Sequence, residues 1–333
     1  MLALVTGATG MLGGEVVDAL LAQGHSVRAL TRPSSNTLPL QAKQVEIVTA
    51  DAADQDALAT AVAGVDIVFH IAAYLTADAP FGADLGTAES DWPRYQAVNV
   101  SWTADLADAA RAAGVDRFVY ASSSAVYSLA APVPTPEDAP LAPQSLYGRS
   151  KLLAETLLRE RDLPVTIIRP CIIYGPADRY FTPLALKLAR LPVLPLVNGG
   201  RTLMDLVYVR DVAELMVLAA TRSEANGRVY NAGPGTPTSL ADLVQAFRTL
   251  TGRGPRLLDV NLALAKRTTW LARPLVGRLF PGVEGALTPA GLTLMSHDIH
   301  LDMARARTEL GFVPRFTLGD GLSNTLNALG RIN

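Results

Sequence analysis

Residues 2–14 read LALVTGATGMLGG. An apolar run with the pattern of a buried strand ends at Thr6, glycines follow at positions 7, 10 and 13, and a helical run opens at once. Glycines at this spacing supply a tight turn, then backbone with no side chain in the way, then close helix–strand contact. The helix start beyond them offers unpaired N–H groups and the positive end of a dipole, which together favour an anion. Strand, turn and helix in this order predict a pyrophosphate cradle on Gly7, Gly10 and Gly13, and hence a dinucleotide site, rather than a merely tight turn.

The alternation continues outward from that stretch. Apolar runs (SVRALT, VEIVTA, DIVFHIA, RFVYASS, VTIIRP) follow one another with helical runs between them (MLGGEVVDALLAQG, DQDALATAVAG, VSWTADLADAARAAG). The helical runs close on Gly24, Gly64 and Gly114, the residue type that tolerates the left-handed position after a helix. This rhythm predicts an α/β fold, a Rossmann-type doubly wound parallel sheet covered on both faces. After about residue 170, Pro and Gly become frequent and strands short, which predicts a smaller, mostly helical C-terminal substrate lobe. The boundaries expected are a dinucleotide-binding domain over 1–170 with a return segment near 203–232, and a substrate-binding lobe over 171–202 and 233–333.

Composition narrows the partners. The chain has 333 residues, 49% of them hydrophobic, and a formal net charge of −2. A near-neutral balance argues against nucleic acid or an anionic membrane surface as the main partner. The single cysteine, Cys171, allows no intrachain disulfide and suits a reducing compartment, where it reads as a small buried residue rather than a nucleophile. The apolar stretches LARLPVLPLV and WLARPLVGRLF are interrupted by Pro and Arg and are too short to span a bilayer. Met1 runs directly into a strand with no basic leader, so a cytoplasmic protein without a membrane span is expected.

The end of the second strand bears on which dinucleotide is bound. An acid there would accept from the ribose 2′-OH of NAD. The sequence instead reads RALTRPSSN, with Thr31 at that place and Arg32 beside it. The planar fork of an arginine matches a 2′-phosphate, and Ser34 or Ser35 can add hydroxyl donors. NADP is therefore favoured over NAD, against the alternative of a solvated surface arginine. Asp51, in TADAAD, could accept from an adenine amino group or cap a helix.

LYGRSKLLAE, residues 146–155, carries the chemistry. Tyr147 and Lys151 stand one helical turn apart on one face. A free tyrosine, with a pKa of about 10, exchanges protons poorly near neutrality. A cation about 5 Å away favours phenolate by about 3 kcal/mol at an effective dielectric near 20, enough to make the phenol a general acid/base for a carbinol–carbonyl interconversion. Nine tyrosines and only four lysines would place about 0.1 such pairs in the chain by chance. The pair also follows YASSSAVY by one strand and loop, and those serines could bind a substrate oxygen.

Together TGATGMLG, DIVFHIAA, YQAVNVSWT, YASSSAVY, YGRSK, IIRPCIIYGP and YVRDVAE resemble an extended short-chain dehydrogenase/reductase, the NAD(P)-dependent epimerase/dehydratase superfamily. The resemblance implies Tyr147 as proton donor and acceptor, and Lys151 as holding the nicotinamide ribose while lowering the tyrosine pKa. It implies Ser123, with Ser122 and Ser124 as alternatives, polarising the substrate oxygen, and Asn99 in a structural and water-positioning role. It further places Thr9, Met11, Leu12, Ala52, Ala72, Ala73 and Pro170 against the cofactor, with His70 a structural histidine. Related enzymes often dimerise through the helices matching NVSWTADLADAARAAG and YGRSKLLAETLLRE, so a homodimer is expected.

Sugar-nucleotide members commonly carry an arginine where RTLMDLVYV has Met204, with Arg201 displaced. The C-terminal stretch is similar to the tails of 3-beta-hydroxysteroid dehydrogenase-like and 2-alkyl-3-oxoalkanoate reductase-like members. The leading expectation is hydride transfer between NADP(H) and a secondary alcohol or ketone of a fairly apolar small molecule. An apolar stretch at 268–295 could line its pocket or serve as ordinary core. The alternatives are an NAD-dependent sugar-nucleotide epimerase or dehydratase and a non-catalytic module that senses NADP(H).

Overall fold

The computed structural model describes residues 1–50, 54–75, 89–267 and 296–330, with the single positions 274, 278 and 292. Asp51, Ala52 and most of the stretch at 268–295 lie outside the described residues. In chain order the elements begin β1 (Leu2–Thr6), α1 (Met11–Ala22), β2 (Ser26–Thr31), α2 (Leu38–Ala42), β3 (Glu46–Thr49), α3 (Gln55–Val62) and β4 (Ile67–His70). They continue with α4 (Trp92–Tyr95), a π-helical segment (Gln96–Ser101), α5 (Trp102–Ala112), β5 (Arg117–Ala121), α6 (Leu146–Arg159) and β6 (Val165–Pro170). Next come β7 (Ile172–Tyr174), α7 (Phe181–Leu188), β8 (Val193–Val197), β9 (Leu206–Tyr208) and α8 (Val209–Thr221). The chain finishes with β10 (Val229–Ala232), α9 (Leu240–Thr251), β11 (Arg256–Val260), α10 (Ala304–Leu310) and α11 (Leu318–Ala328).

Seven strands form one parallel sheet in the order β10–β6–β5–β4–β1–β2–β3. The period-2 alternation of side chains divides each central strand between two cores. Ala3, Val5, Ile67, Phe69 and Val119 face one layer with Val16, Val17 and Leu20 of α1 and the apolar face of α8. Leu4, Val68, Phe118 and Tyr120 face the other, with Leu58 of α3, Leu106 and Ala110 of α5, and Ala154 and Leu158 of α6. Each such aliphatic side chain contributes about 1.5–3 kcal/mol by leaving water, so the sheet is held from both sides, as the alternation predicts. Gly24, Gly64 and Gly114 adopt φ of 76°, 67° and 73°, closing α1, α3 and α5.

Chain direction across the sheet reverses at β1, which has β2 on one side and β4 on the other. A crevice opens at the carboxyl ends of strands at such a reversal. The turn after β1 and the loop after β4 stand on its two sides.

Beyond Cys171 the chain builds two small parallel ribbons, β7 with β9 and β8 with β11, and then returns β10 to the large sheet beside β6. Bridges from Thr135 to Leu301 and from Met204 to Ile299 tie the segment before α10 to the stretch between β5 and α6 and to the approach to β9. No helix among the described residues is long and apolar enough to cross a membrane.

Candidate active site

The glycine turn is built to leave room for an anion. Gly7 has φ +72°, and a Cβ on it would lie 2.9 Å from the Ala72 amide nitrogen; a Cβ on Gly13 would lie 2.1 Å from the Gly7 carbonyl oxygen. Those two glycines let β1, α1 and the loop after β4 approach one another. Gly10 differs: its Cβ would meet only the Gly7 oxygen, at 3.2 Å, so glycine there clears the outer side of the turn. No side chain caps α1 and no acid stands in its first turn. Its N-terminus is thus electropositive and open, which fits the diphosphate of a dinucleotide. At the end of β2, Thr31 is buried with its hydroxyl directed at the Val48 carbonyl, while Arg32 is exposed.

A buried hydrogen-bond chain fixes this turn relative to α6. The Ile71 and Ala72 amides donate to Thr6 Oγ1 at 3.1 Å. His70, fully buried, meets Thr6 Oγ1 through Nδ1 and Thr103 Oγ1 through Nε2, each at 2.8 Å. Thr103 spends its one hydroxyl proton on the Asn99 carbonyl oxygen at 2.9 Å. It must therefore accept from His70 Nε2–H, which leaves Nδ1 to accept from Thr6. Burial first, and the Lys151 cation second, hold the His70 pKa down at about 3, so the ring is neutral. His70 is buried with both ring nitrogens hydrogen-bonded.

Asn99 extends the chain from the π-helical segment, a distortion of the helix that the sequence did not reveal. Its Oδ1 accepts from the Tyr74 amide at 2.6 Å, and its Nδ2 donates to the Tyr74 carbonyl and to Ser150 Oγ, both at 2.9 Å. Ser150 Oγ donates in turn to the Tyr147 carbonyl oxygen at 2.7 Å. Asn99 is buried and positions backbone on either side of the crevice.

Three consecutive serines follow β5 and all line one cavity, and their hydrogen bonds set Ser122 apart. Ser122 Oγ is buried and donates to Glu155 Oε1 at 2.5 Å. Ser123 Oγ accepts from the Ala125 amide at 3.1 Å, capping the turn at 124–126. Its hydroxyl proton remains available to an oxygen in the crevice. Helix α6 starts beside this turn: Ser145 caps it, accepting from the Gly148 amide at 3.0 Å. A Cβ at Gly148 would lie 2.3 Å from the Ala125 carbonyl oxygen, so glycine is what lets the start of α6 close on the serine turn.

Lys151 is almost wholly buried. Its Nζ donates to the Ala121 carbonyl at 2.7 Å and lies 4.7 Å from the centre of the Tyr120 ring and 5.8 Å from that of Tyr147. Burial lowers its pKa to about 7, against the pull of Glu155. One turn further along the same face, Glu155 forms a buried pair with Arg169 of β6, Nε to Oε1 at 2.9 Å and Nη2 to Oε2 at 2.6 Å. Burial raises the Glu155 pKa, but Arg169, Ser122 and Arg159 together bring it below the usual carboxylate range. Glu155, Arg169, Gly148, Thr6, Thr103 and Ser150 all escaped the sequence reading. Two signals were visible: Tyr147, Lys151 and Glu155 at i, i+4, i+8 on one face, and an arginine inside the apolar run VTIIRP.

One cavity of about 680 Å³ collects the chemistry. Met11, Leu12, Ser123, Tyr147, Lys151 and Pro170 all line it. Gly7, Thr9, Gly10, Gly13, Arg32, Asn99, Ala72 and Ala73 do not, although Ile71 and Leu75 of the same loop do. Much of the remaining wall is aliphatic, including Leu184, Leu188, Leu194, Leu196, Leu203 and Val260. Met204 is in the wall, whereas Arg201 is exposed and pairs with Asp259 at 3.2 Å. No arginine is among the described lining residues, and no cluster of described residues could hold a metal ion.

Residues 3–233 match the NAD dependent epimerase/dehydratase family. The chain belongs to that family. It is 29% identical over 97% of its length to 95% of a 4-hydroxy-2-methyl-3-oxo-4-farnesyl-3,4-dihydroquinoline-1-oxide ketoreductase from Stigmatella aurantiaca. It is 30% identical, with 96% of each chain covered, to a 2-alkyl-3-oxoalkanoate reductase from Stenotrophomonas maltophilia. A 3-beta-hydroxysteroid dehydrogenase from Mycolicibacterium neoaurum is also 30% identical, over 97% of this chain and 90% of that one. Among solved structures, MoeE5 in complex with UDP-glucuronic acid and NAD superposes with a TM-score of 0.73 at 27% identity, over 99% of both chains. Family membership with such relatives makes the chain an NAD(P)-dependent oxidoreductase of the extended short-chain dehydrogenase/reductase type. The cradle after β1 and the cavity beyond it fit a nicotinamide dinucleotide.

Proposed function

We propose that the protein interconverts a secondary alcohol and a ketone on an apolar small molecule, using Ser123, Tyr147 and Lys151, with NADP(H) as its partner. The observation that carries this reading is the convergence of those three side chains on one largely aliphatic cavity. When bound, the nicotinamide supplies the hydride for reduction or accepts it for oxidation. Ser123, its lone pair engaged by the Ala125 amide, donates its proton toward the carbonyl oxygen. Tyr147 gives that oxygen a proton as the alcohol forms and takes it back in the reverse direction. Lys151, seated on the Ala121 carbonyl, stabilises the phenolate left on Tyr147 and would hold the nicotinamide ribose. Exposed Arg32, next to a Thr31 that is turned into the sheet, supports a 2′-phosphate on the cofactor.

A sugar-nucleotide epimerase or dehydratase remains the second reading, supported by the likeness to MoeE5. Met204 in the cavity wall and the aliphatic lining weigh against a diphosphate substrate. The deciding experiment compares wild type with Tyr147→Phe on apolar ketones and UDP-sugars, with NADPH and NADH titrated into both proteins. The phenol's removal should lower turnover by about 10²–10⁴-fold while cofactor binding survives. Near-normal turnover in the variant rejects the assignment. NADH binding as tight as NADPH rejects the role of Arg32. UDP-sugar turnover without added cofactor selects the second reading, and no turnover with any carbonyl selects a sensing module.

A further inference from the structure

The ribbon of β8 and β11 has two unlike faces. Leu194 and Leu196 of one face line the cavity, while Val193 and Leu258 of the other are 43% and 52% exposed; Pro195, Val197 and Val260 of this second face reach the cavity further along the strands. The two strands run in parallel register, Arg256 opposite Val193 and Leu258 opposite Pro195, so these residues are neighbours. The following helical turn repeats the pattern, with Ala265 in the cavity wall and Leu264 57% exposed. Val193 and Leu258 are therefore exposed beside Arg256 on one face of the ribbon, at the rim of the apolar cavity, with Leu264 exposed on the turn that follows.

The segments that build the ribbon and flank it are rich in cations. Residues 187–201 carry Lys187, Arg190 and Arg201 and no acid, and residues 253–267 carry Arg253, Arg256, Lys266 and Arg267 against Asp259 alone. Seven cations against one carboxylate make these two segments +6 within a chain of net charge −2. Among the described residues only Arg201 of these cations makes an ion pair, with Asp259 itself. Net charge near zero thus conceals two basic segments, of which Arg256 stands opposite Val193 in the ribbon. Aliphatic side chains bordered by unpaired cations are the composition of a surface that lies in the headgroup region of an anionic bilayer.

We propose that the outer face of the β8–β11 ribbon docks on an anionic lipid bilayer, bringing the cavity's aliphatic wall to the membrane from which an apolar substrate would be drawn. The docking itself requires none of the carbonyl chemistry assigned to Tyr147. Its test is flotation of the full-length protein with vesicles of phosphatidylcholine containing about one-third phosphatidylglycerol, beside vesicles of phosphatidylcholine alone. Wild type should float with the anionic vesicles and detach as salt rises. Arg253→Gln with Arg256→Gln should weaken binding by about tenfold or more, and Val193→Asp with Leu258→Asp likewise. Both pairs should still bind NADPH, which shows that they are folded. Tyr147→Phe should float like wild type, so loss of the proposed activity and loss of docking are told apart. The proposal is overturned if wild type ignores anionic vesicles at low salt, or if both double variants float as well as wild type. It is equally overturned if light scattering shows that Val193→Asp with Leu258→Asp converts a dimer to monomer, which makes the face a contact between copies. Binding to an acidic carrier protein in preference to vesicles also overturns it.

Discussion

The Lys151 ammonium lies nearer the centre of the Tyr120 ring, at 4.7 Å, than that of the Tyr147 ring, at 5.8 Å. Tyr120 is fully buried, and its hydroxyl has no hydrogen-bond partner among the described residues. Its contribution therefore comes from the ring, whose face attracts a cation and offsets part of the cost of burying one. Tyr120 also stacks on the His70 ring at 5.7 Å, which is neutral and so adds no second positive charge beside Lys151.

The first prediction follows from that stack. Tyr120→Phe keeps the ring and should leave turnover within about twofold. Tyr120→Leu removes it, so the Lys151 pKa, already lowered by burial to about 7, should fall further. Glu155 still holds it up and Tyr147 still faces it, so the shift is modest. The alkaline limb of the rate profile should move to lower pH by up to about one unit. Initial rates against pH for the three proteins decide this, and superimposable profiles for Tyr120→Leu and wild type would refute it.

Acid should destabilise the fold at two buried groups. His70 titrates at about 3 in the folded chain against an ordinary value of 6.5. Between those limits the unfolded chain takes up a proton that the folded chain refuses, so this contribution is complete above about pH 6.5 and declines below it. Glu155 acts in the same direction: its carboxyl, held below the usual range, stabilises the fold above that range and loses its contribution as pH falls through its folded value. Melting temperature should therefore drop from about pH 7 to about pH 5. In His70→Asn, less stable at every pH, the slope over that interval should be shallower. A slope as steep as that of wild type would remove His70 from the account.

Gly148→Ala tests how α6 is docked. The new Cβ would sit 2.3 Å from the Ala125 carbonyl oxygen, a backbone atom that cannot swing aside. Helix start and serine turn must separate, moving Tyr147 away from Ser123. Displacement of about 1 Å between reacting groups costs on the order of 10²-fold in rate. The expected result is a comparable fall in kcat with NADPH affinity retained. Unchanged kcat would mean that this contact does not set the distance.

Much of the architecture was legible because it is written in local periodicity. The glycine turn after β1, the six alternating strands from β1 to β6 and the glycines that end the helices all follow from residues a few positions apart. The missed parts of the site follow from long-range contacts: Thr6 with His70 is 64 residues apart, Asn99 with Ser150 is 51, and Ser122 with Glu155 is 33. The π-helical segment at Gln96–Ser101 also lay beyond the sequence, since its residues alone read as ordinary helix.

The amino-acid order alone determined that a parallel sheet would present a glycine cradle at the carboxyl end of its first strand, and a tyrosine and lysine one helical turn apart. Spacing along strand and helix needs no distant partner. Tertiary structure decided that Ser122 spends its hydroxyl proton on Glu155, what seats the lysine, and which residues of the β8–β11 ribbon meet solvent. Those outcomes depend on which residues burial brings together, and burial is a property of the assembled chain.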